Sequence, residues 1–155
     1  RLNAMRLISL MISGFLAAPA AAQTAFPCDW QARADAIVEP WDDNTATFAN
    51  GAVRIALLDV IEPAAGAFYL LILHPPYDEL GSRVCTVVGL NESIGYANID
   101  FNGLEARYDP ARGLTFEVPA TIYLPEQSFQ NPALVSITVN QATGAVTVKQ
   151  ALGNE

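Results

Sequence analysis

Residues 135–149 of the chain read Val-Ser-Ile-Thr-Val-Asn-Gln-Ala-Thr-Gly-Ala-Val-Thr-Val-Lys. Valine and isoleucine alternate with polar residues on both sides of the segment Asn140–Gly144, as in strands that place one face on a core. The segment itself starts with an amide side chain and ends with glycine, the residue that most readily adopts a left-handed turn conformation. This stretch therefore predicts an antiparallel β-hairpin.

The same combination of short strands and tight turns extends through most of the preceding chain. Asn50-Gly51 and Asn102-Gly103 are typical hairpin turns, and Asp109–Gly113 has the same form as the turn above. Residues 67–73 are apolar throughout, which is typical of a strand that is buried on both faces. We count about eight strands and expect a mainly β fold, either an antiparallel sandwich or a flattened barrel.

One short helix is predicted ahead of these strands, over Trp30–Val38. The apolar residues of this segment recur at helical spacing on one face. Asp29 precedes the segment and is a good N-cap residue, because its carboxylate can accept hydrogen bonds from the first backbone N–H groups. Pro40 ends the helix, since proline disfavours the α conformation of the residue before it.

Residues 1–22 have the three-part layout of a secretory signal peptide. A basic start at Met5-Arg6 is followed by the apolar run Leu7–Leu16 and by an alanine-rich site that ends at Ala22. The apolar run is too short to cross a bilayer, which needs about 20 apolar residues. We therefore expect residues 1–22 to comprise an upstream remnant, before Met5, and a cleaved signal peptide.

Cleavage would leave residues 23–155 as a single β domain, exported to the bacterial periplasm or the extracellular space and without a membrane span. Such compartments are oxidising, and the chain has two cysteines, Cys28 and Cys85. An even number of cysteines in an exported protein favours pairing. We predict a Cys28–Cys85 disulfide, which leaves no thiol for catalysis or metal binding.

The chain is strongly acidic, with a formal net charge of −8 at pH 7. Without residues 1–22 it has 6 basic and 16 acidic residues, which gives a net charge of −10. Phosphate backbones and anionic lipid headgroups repel such a surface. Nucleic acids are therefore poor partners, and we expect the partner to be a protein or a small-molecule ligand.

No assembled catalytic or metal-binding motif is recognisable in the sequence. His74 is the only histidine, so the chain has too few ligands for a histidine-based zinc site. The sequence also lacks a Gly-x-Ser-x-Gly nucleophile motif, so no Ser-His-Asp triad is predicted. There is no glycine-rich nucleotide loop, and no cofactor is predicted. Carboxylates are plentiful, and Glu105 and Glu117 are the best candidates for the pair that a carboxylate-dependent hydrolase uses.

The segment His74-Pro75-Pro76-Tyr77 is the best candidate for a contact site, because prolines stiffen an exposed loop at low entropic cost. Two plainer interpretations remain open, namely a stiff turn and a histidine that ends a buried strand and hydrogen-bonds locally. The leading hypothesis is a non-enzymatic binding or interaction module that uses His74, Pro75, Pro76 and Tyr77. The alternatives are a small carboxylate-dependent hydrolase and a structural protein of the cell envelope.

Overall fold

The structure, a computed structural model, describes residues 24–127 and 129–153. Within these residues, ten β-strands form two antiparallel sheets of five strands each. The predicted mainly β class is confirmed, with ten strands rather than about eight. The predicted signal peptide, residues 1–22, lies outside the described part of the chain. In that part no helix is long and apolar enough to cross a membrane.

The first sheet, sheet A, contains the first five strands of the chain. They are β1 Ala25–Pro27, β2 Thr45–Phe48, β3 Val53–Asp59, β4 Phe68–His74 and β5 Val84–Val88. Their spatial order is β1-β5-β4-β3-β2. Strands β2, β3 and β4 pair with their neighbours in sequence, whereas β1 pairs with the distant β5 and forms one edge of the sheet.

The second sheet, sheet B, contains the remaining five strands. They are β6 Asn98–Ile99, β7 Glu105–Asp109, β8 Gly113–Leu124, β9 Phe129–Val139 and β10 Val146–Leu152. The long strand β8 pairs with β9 along one side and with both β6 and β7 along the other. Strand β10 follows β9 through the hairpin predicted from residues 135–149.

The inner faces of the two sheets share one large apolar core, so the fold is the sandwich of the two predicted architectures. Alternate residues of β8, such as Leu114, Phe116 and Val118, point into this core. Phe116 meets Phe48 of sheet A edge-to-face, with ring centroids 4.9 Å apart. Each fully buried side chain of this size contributes about 1.5–3 kcal/mol of hydrophobic stabilisation, so the sheets are held together mainly by this interface.

Three of the predicted turns occur where the sequence placed them. Asn50-Gly51 lies in the connection between β2 and β3, and its residues adopt positive φ angles. In the connection from β7 to β8, Asp109 Oδ1 accepts a hydrogen bond from the Ala111 N–H at 2.8 Å. In the connection from β9 to β10, Asn140 Oδ1 accepts one from the Ala142 N–H at 3.0 Å. The side chain at the first position therefore fixes both of the longer turns.

The predicted hairpin at Asn102-Gly103 is wrong. These residues belong to the 3-10 turn Phe101–Gly103, in which the Asp100 side chain accepts a hydrogen bond from the Gly103 N–H at 3.2 Å. Strands β6 and β7 on either side of the turn pair with β8 instead of with each other. The turn therefore moves the chain along one edge of β8, because both strands fit beside a partner of twelve residues.

The predicted helix over Trp30–Val38 is also wrong in position. That segment contains only the 3-10 turn Ala34–Ala36, and α1, Trp41–Asn44, is the one α-helix of the described residues. Ile37 is extended and forms an antiparallel bridge with Leu58 of β3. The edge of β3 beyond the end of β2 offers backbone partners that a helix would leave unused. The other 3-10 turns are Ala64–Gly66 and Pro125–Gln127.

Residues 28–38, which we call the cover, lie across the outer face of sheet A. They form a second apolar cluster with buried residues of the sheet that include Leu58, Tyr69 and Val87. The predicted disulfide is confirmed: Cys28 and Cys85 are bonded, with their Cα atoms 5.4 Å apart. The disulfide therefore fastens the start of the cover to β5.

Candidate functional site

His74 lies in the interior of the sandwich, at the end of β4. Its side chain is fully buried, and its Nδ1 donates to the carbonyl oxygen of Pro75 at 2.7 Å. Its Nε2 lies 2.9 Å from the hydroxyl of Thr86 on β5. Both ring nitrogens are thus engaged within the protein. His74 therefore supports the predicted contact loop from the interior of the sandwich and is not itself accessible to a partner.

Pro75 and Pro76 fasten this loop to the opposite sheet. Pro75 borders a cavity of about 360 Å³ together with Tyr108 near the end of β7 and Asn140 in the turn after β9. Pro76 packs closely on the turn between β9 and β10, since a Cβ atom on Gly144 would lie 2.8 Å from the Pro76 Cδ. The two prolines therefore act as a spacer between the sheets at this end of the sandwich.

Tyr77 follows the prolines and is half exposed, with 50% of its surface open. The guanidinium of Arg83 lies 5.9 Å from the centre of the Tyr77 ring, within the range of a cation–π contact. The same guanidinium donates to the carbonyl oxygens of Gly51 at 2.7 Å and Ala52 at 3.1 Å. Arg83 thereby anchors the 75–83 loop to the turn between β2 and β3.

Leu80 stands at the tip of the 75–83 loop, and 92% of its surface is exposed. The Asp78 carboxylate accepts hydrogen bonds from the N–H groups of Leu80 at 2.9 Å and Ser82 at 2.8 Å. The bonds from the Ser82 and Leu80 backbone lower the pKa of the Asp78 carboxyl. Gly81 has a φ of +84°, where a side chain would be strained. The tip is therefore fixed by its own hydrogen bonds, with a leucine directed to solvent.

Four connections meet at this end of the sandwich, and we call their exposed side the loop-end surface. They are the turns after β2, β7 and β9 and the 75–83 loop. The large exposed side chains at this end are Tyr77 and Leu80 of the loop and Tyr108 near the end of β7, the last with 66% of its surface open. Tyr77 was predicted as a contact residue from the sequence, whereas Leu80 and Tyr108 were not. Leu80 could have been found as a single leucine between the acidic pair Asp78-Glu79 and Gly81. No neighbouring residue indicates that Tyr108 belongs to the same surface.

The two carboxylates proposed for a hydrolase, Glu105 and Glu117, do not have the environment of a catalytic acid–base pair. Glu105 and Glu117 are opposite each other on β7 and β8, and the Arg107 guanidinium donates to Glu117 Oε1 at 2.7 Å. This hydrogen bond and the charge of Arg107 lower the pKa of the Glu117 carboxyl. A general acid needs the opposite shift, towards neutral pH. The pair is therefore suited to ion pairing with Arg107 more than to proton transfer.

Residues 24–127 and 129–153 contain no cluster of three or more histidine, cysteine, aspartate or glutamate side chains placed to hold a metal ion.

No protein-family model matches the chain, and no curated protein or solved structure is significantly similar to it. No residue therefore acquires a role from a relative. Exposure, hydrogen bonding and charge at the surface are the basis for assigning one.

Proposed function

We propose that the protein is an exported, non-enzymatic binding module whose loop-end surface holds a protein partner. The observation that carries this proposal is the exposure of Leu80 at the tip of a loop whose backbone is already fixed by Asp78. An exposed leucine contributes little to folding, and ordering the loop around it costs conformational entropy. Because the loop is already ordered in the free protein, a partner can bury the leucine side chain with little further loss of conformational entropy.

The two tyrosines of the loop-end surface support the same proposal. Tyr77 and Tyr108 are half or more exposed, and tyrosine provides a large contact area with few rotatable bonds. Tyr77 lies on a loop and Tyr108 near the end of β7, at one end of the sandwich, the place where β-sandwich proteins commonly carry binding loops. A rigid exposed leucine, with tyrosines at the same end of the sandwich, is a suitable centre for an interface hot spot.

Charge favours a particular kind of partner. Asp78 and Glu79 directly precede Leu80 and are exposed, and the chain as a whole has a net charge of −8. A complementary protein surface would have an apolar pocket for Leu80 inside a ring of lysine or arginine side chains. Anionic membranes and nucleic acids are disfavoured, because both would be repelled by the same carboxylates.

Export is supported by the layout of residues 1–22 and by the cysteine chemistry. The signal-peptide pattern precedes the β domain directly, and the Cys28–Cys85 disulfide is of a kind that persists in oxidising compartments. The partner is therefore sought among envelope or extracellular proteins.

The proposal is tested by capture with a matched pair of variants. The immobilised protein is incubated with an envelope extract of the producing cells, and the retained proteins are identified by mass spectrometry. We expect a protein that is retained by the wild type and lost with Leu80→Asp, with an affinity weakened roughly tenfold or more, as for a hot-spot residue. Because Leu80 is almost fully exposed, the variant should unfold at the same temperature as the wild type.

Ile61→Asp is the control for this experiment. Ile61 is also a large exposed apolar residue, but it lies in the connection from β3 to β4, at the opposite end of the sandwich. The control should retain the partner with unchanged affinity. The proposal is overturned if the wild type and both variants retain the same proteins, or if the wild type retains none.

A further inference from the structure

The edge of sheet B that β10 forms differs from the other sheet edges of the described residues. Sheet A ends at β1, three residues that include Pro27, and at β2, four residues. The opposite edge of sheet B consists of the two-residue β6 and of β7, which carries Glu105, Arg107 and Asp109. Short length, proline and charged side chains are the usual ways in which proteins prevent pairing at an edge. Strand β10 has seven residues, no proline and one charge, so its edge is open to pairing.

Four residues of β10 present backbone groups on this open side. The Gly153 N–H donates to the Pro132 carbonyl oxygen at 2.9 Å, which fixes the hydrogen-bonded positions of the ladder between β9 and β10. Bonded and non-bonded pairs alternate along an antiparallel ladder, so every second residue of β10 bonds to β9 and the residues between them face away. The residues whose N–H and C=O groups face away are Val146, Val148, Gln150 and Leu152. These groups have no backbone hydrogen-bond partner in the part of the chain that the structure describes.

The apolar core is also incompletely covered along β10. Val146 and Val148 pack against the core but are only partly buried, and Leu152 at the end of the strand is 55% exposed. On the neighbouring β9, Val135 and Ile137 are fully buried. A cavity of about 240 Å³ lies between Val146 and strands β1 and β5 of sheet A. A further strand beside β10 would cover these side chains and place its own alternate side chains at the opening between the sheets.

The outer side of β10 carries a charge that selects the partner. Lys149 is exposed and forms no ion pair with the described residues. It borders a hollow of about 370 Å³ together with Arg112, Thr138 and Thr147, and no carboxylate of the described residues borders that hollow. The Arg112 guanidinium lies 3.9 Å from the Asp109 carboxylate, at the limit of an ion pair. In a chain with a net charge of −8, this locally positive surface is complementary to a carboxylate.

We propose that β10 binds an extended segment of another protein, which adds to sheet B as a further antiparallel strand. The segment pairs with the free backbone groups of Val146, Val148 and Gln150. Its alternate apolar side chains lie over the opening between the sheets, and a carboxylate on its other face meets Lys149. In strand addition of this kind, main-chain hydrogen bonds provide affinity and alternate side chains provide specificity. The proposal does not rest on the loop-end surface, since Leu80 makes no contribution to it.

A second copy of the chain is a poorer occupant of this edge. In the antiparallel register that pairs all seven residues of β10, Lys149 would stand directly opposite its own copy, and like charges in that position are destabilising. Val146–Leu152 contains no carboxylate that could compensate them. The two copies are both acidic overall and repel each other at long range. The segment therefore comes from a different protein.

A pair of designed peptides tests the proposal by fluorescence anisotropy. Each has about eight residues, a usual strand length, in which valine alternates with threonine and one central glutamate, and a Gly-Ser tail carries fluorescein. In an antiparallel pair with β10, the valine N–H groups face β10 and the threonine and glutamate N–H groups face away. The first peptide is N-methylated on threonine and glutamate, which also prevents self-assembly. The second is N-methylated on the valines. We expect saturable binding of the first peptide and at least roughly tenfold weaker binding of the second.

Three variants of the protein connect this binding to the edge. Val148→Pro removes an N–H that faces away from β9, so the hairpin keeps its own hydrogen bonds, and binding of the first peptide should fall roughly tenfold or more. Ala106→Pro makes the same change at the outer edge of β7 and should leave binding unchanged. Lys149→Glu should weaken binding about fivefold, and a peptide with lysine in place of glutamate should restore it. Leu80→Asp should bind the peptide as the wild type does.

Four results would overturn the proposal. They are the absence of a saturable anisotropy change, equal or tighter binding of the peptide methylated on valine, an equal loss in Val148→Pro and Ala106→Pro, and a wild-type dimer in sedimentation velocity that Val148→Pro dissociates. The last result would assign the edge to a second copy of the chain. If circular dichroism shows that Val148→Pro does not fold, the two peptides and Lys149→Glu decide the outcome. Failure of the capture experiment at the loop-end surface leaves each of these results unaffected.

Discussion

Sheet A is buried on both faces over much of its area, whereas sheet B is buried on one. Strand β4 is apolar almost throughout, and its outward residues Tyr69 and Leu71 join the cluster beneath the cover. Strands β9 and β10 alternate, with outward residues that include Ser136, Thr138 and Thr147. The sequence pattern of a strand thus reports how many of its faces are covered, but it does not report what covers them.

The two outer faces are also held by different forces. The cover is fastened to sheet A by apolar contacts and by the Cys28–Cys85 disulfide. On sheet B, the outer face has polar pairs such as Thr115 with Thr138, whose hydroxyl oxygens are 2.9 Å apart. Burial of large apolar side chains contributes more free energy than a single hydrogen-bonded polar pair of this kind. The outer face of sheet A should therefore matter for stability, and that of sheet B should not.

Removal of the disulfide tests this comparison most strongly. In the chain-entropy model a cross-link between residues separated by 57 positions stabilises the fold by about 4 kcal/mol. We expect the double variant Cys28→Ala/Cys85→Ala to lose about that much free energy of unfolding, measured by urea denaturation. A loss below about 1 kcal/mol would mean that the cover and β1 are held by their own packing, contrary to this account.

One side chain from each outer face sharpens the same comparison. Leu58 is fully buried beneath the cover, so Leu58→Ala should cost about 2–5 kcal/mol, as in any core. Thr147 points outward from sheet B and is exposed, so Thr147→Ala should change stability by less than about 0.5 kcal/mol. Thermal unfolding monitored by circular dichroism compares the two. Equal effects would show that the cover does not bury Leu58 in solution.

A smaller effect is expected in the connection between β3 and β4 of sheet A. Ile61 has a φ of +73°, a conformation that is costly for a β-branched residue and tolerated by asparagine. Its side chain is 72% exposed, so little packing is lost on replacement. Ile61→Asn should raise the free energy of unfolding by about 1 kcal/mol, whereas Ile61→Val should give no gain. A destabilised Ile61→Asn protein would contradict the left-handed conformation.

The smallest effect concerns the ion pair on the outer face of sheet B. Arg107 lowers the pKa of Glu117 in the folded protein, so this pair stabilises the fold above the ordinary glutamate pKa of about 4.3. The stabilisation is lost as the pH falls through the folded value. The difference in melting temperature between wild type and Glu117→Gln should therefore be small near neutral pH and should vanish in acid. A difference that does not change with pH would exclude the ion pair as its cause.

The parts of the fold that were predicted are those specified by neighbouring residues. The hairpin of β9 and β10 follows from strict alternation around Asn140–Gly144, and the disulfide follows from a count of two cysteines. The cover was misassigned because Trp30–Val38 has helical spacing, while the edge of β3 supplies stronger partners from elsewhere in the chain. Tertiary contacts overrode a local preference there. Strand β1 was not predicted because its three residues are too few to show an alternating apolar and polar pattern.

The candidate site was predicted only in part, for a related reason. The prolines marked a stiff loop, but the sequence does not say that His74 lies inside the sandwich or that the exposed tip is Leu80. Tyr108 joins the surface because β7 and β4 end at the same side of two packed sheets. Gln31 was predicted on a helix, whereas its Nε2 donates to the carbonyl oxygen of the distant Glu92 at 2.6 Å. Such proximities arise from topology, which local patterns do not encode.

The pairing of β1 with β5 sets an order in time for the completion of sheet A. A chain emerges from synthesis with its N-terminus first, so Ala25–Pro27 and Cys28 appear well before Val84–Val88 has been made. Strands β2, β3 and β4 need only their neighbours in sequence, and such local contacts form fastest. The edge strand therefore joins sheet A only after β5 has been made, and the oxidation of Cys28 with Cys85 fixes that closure.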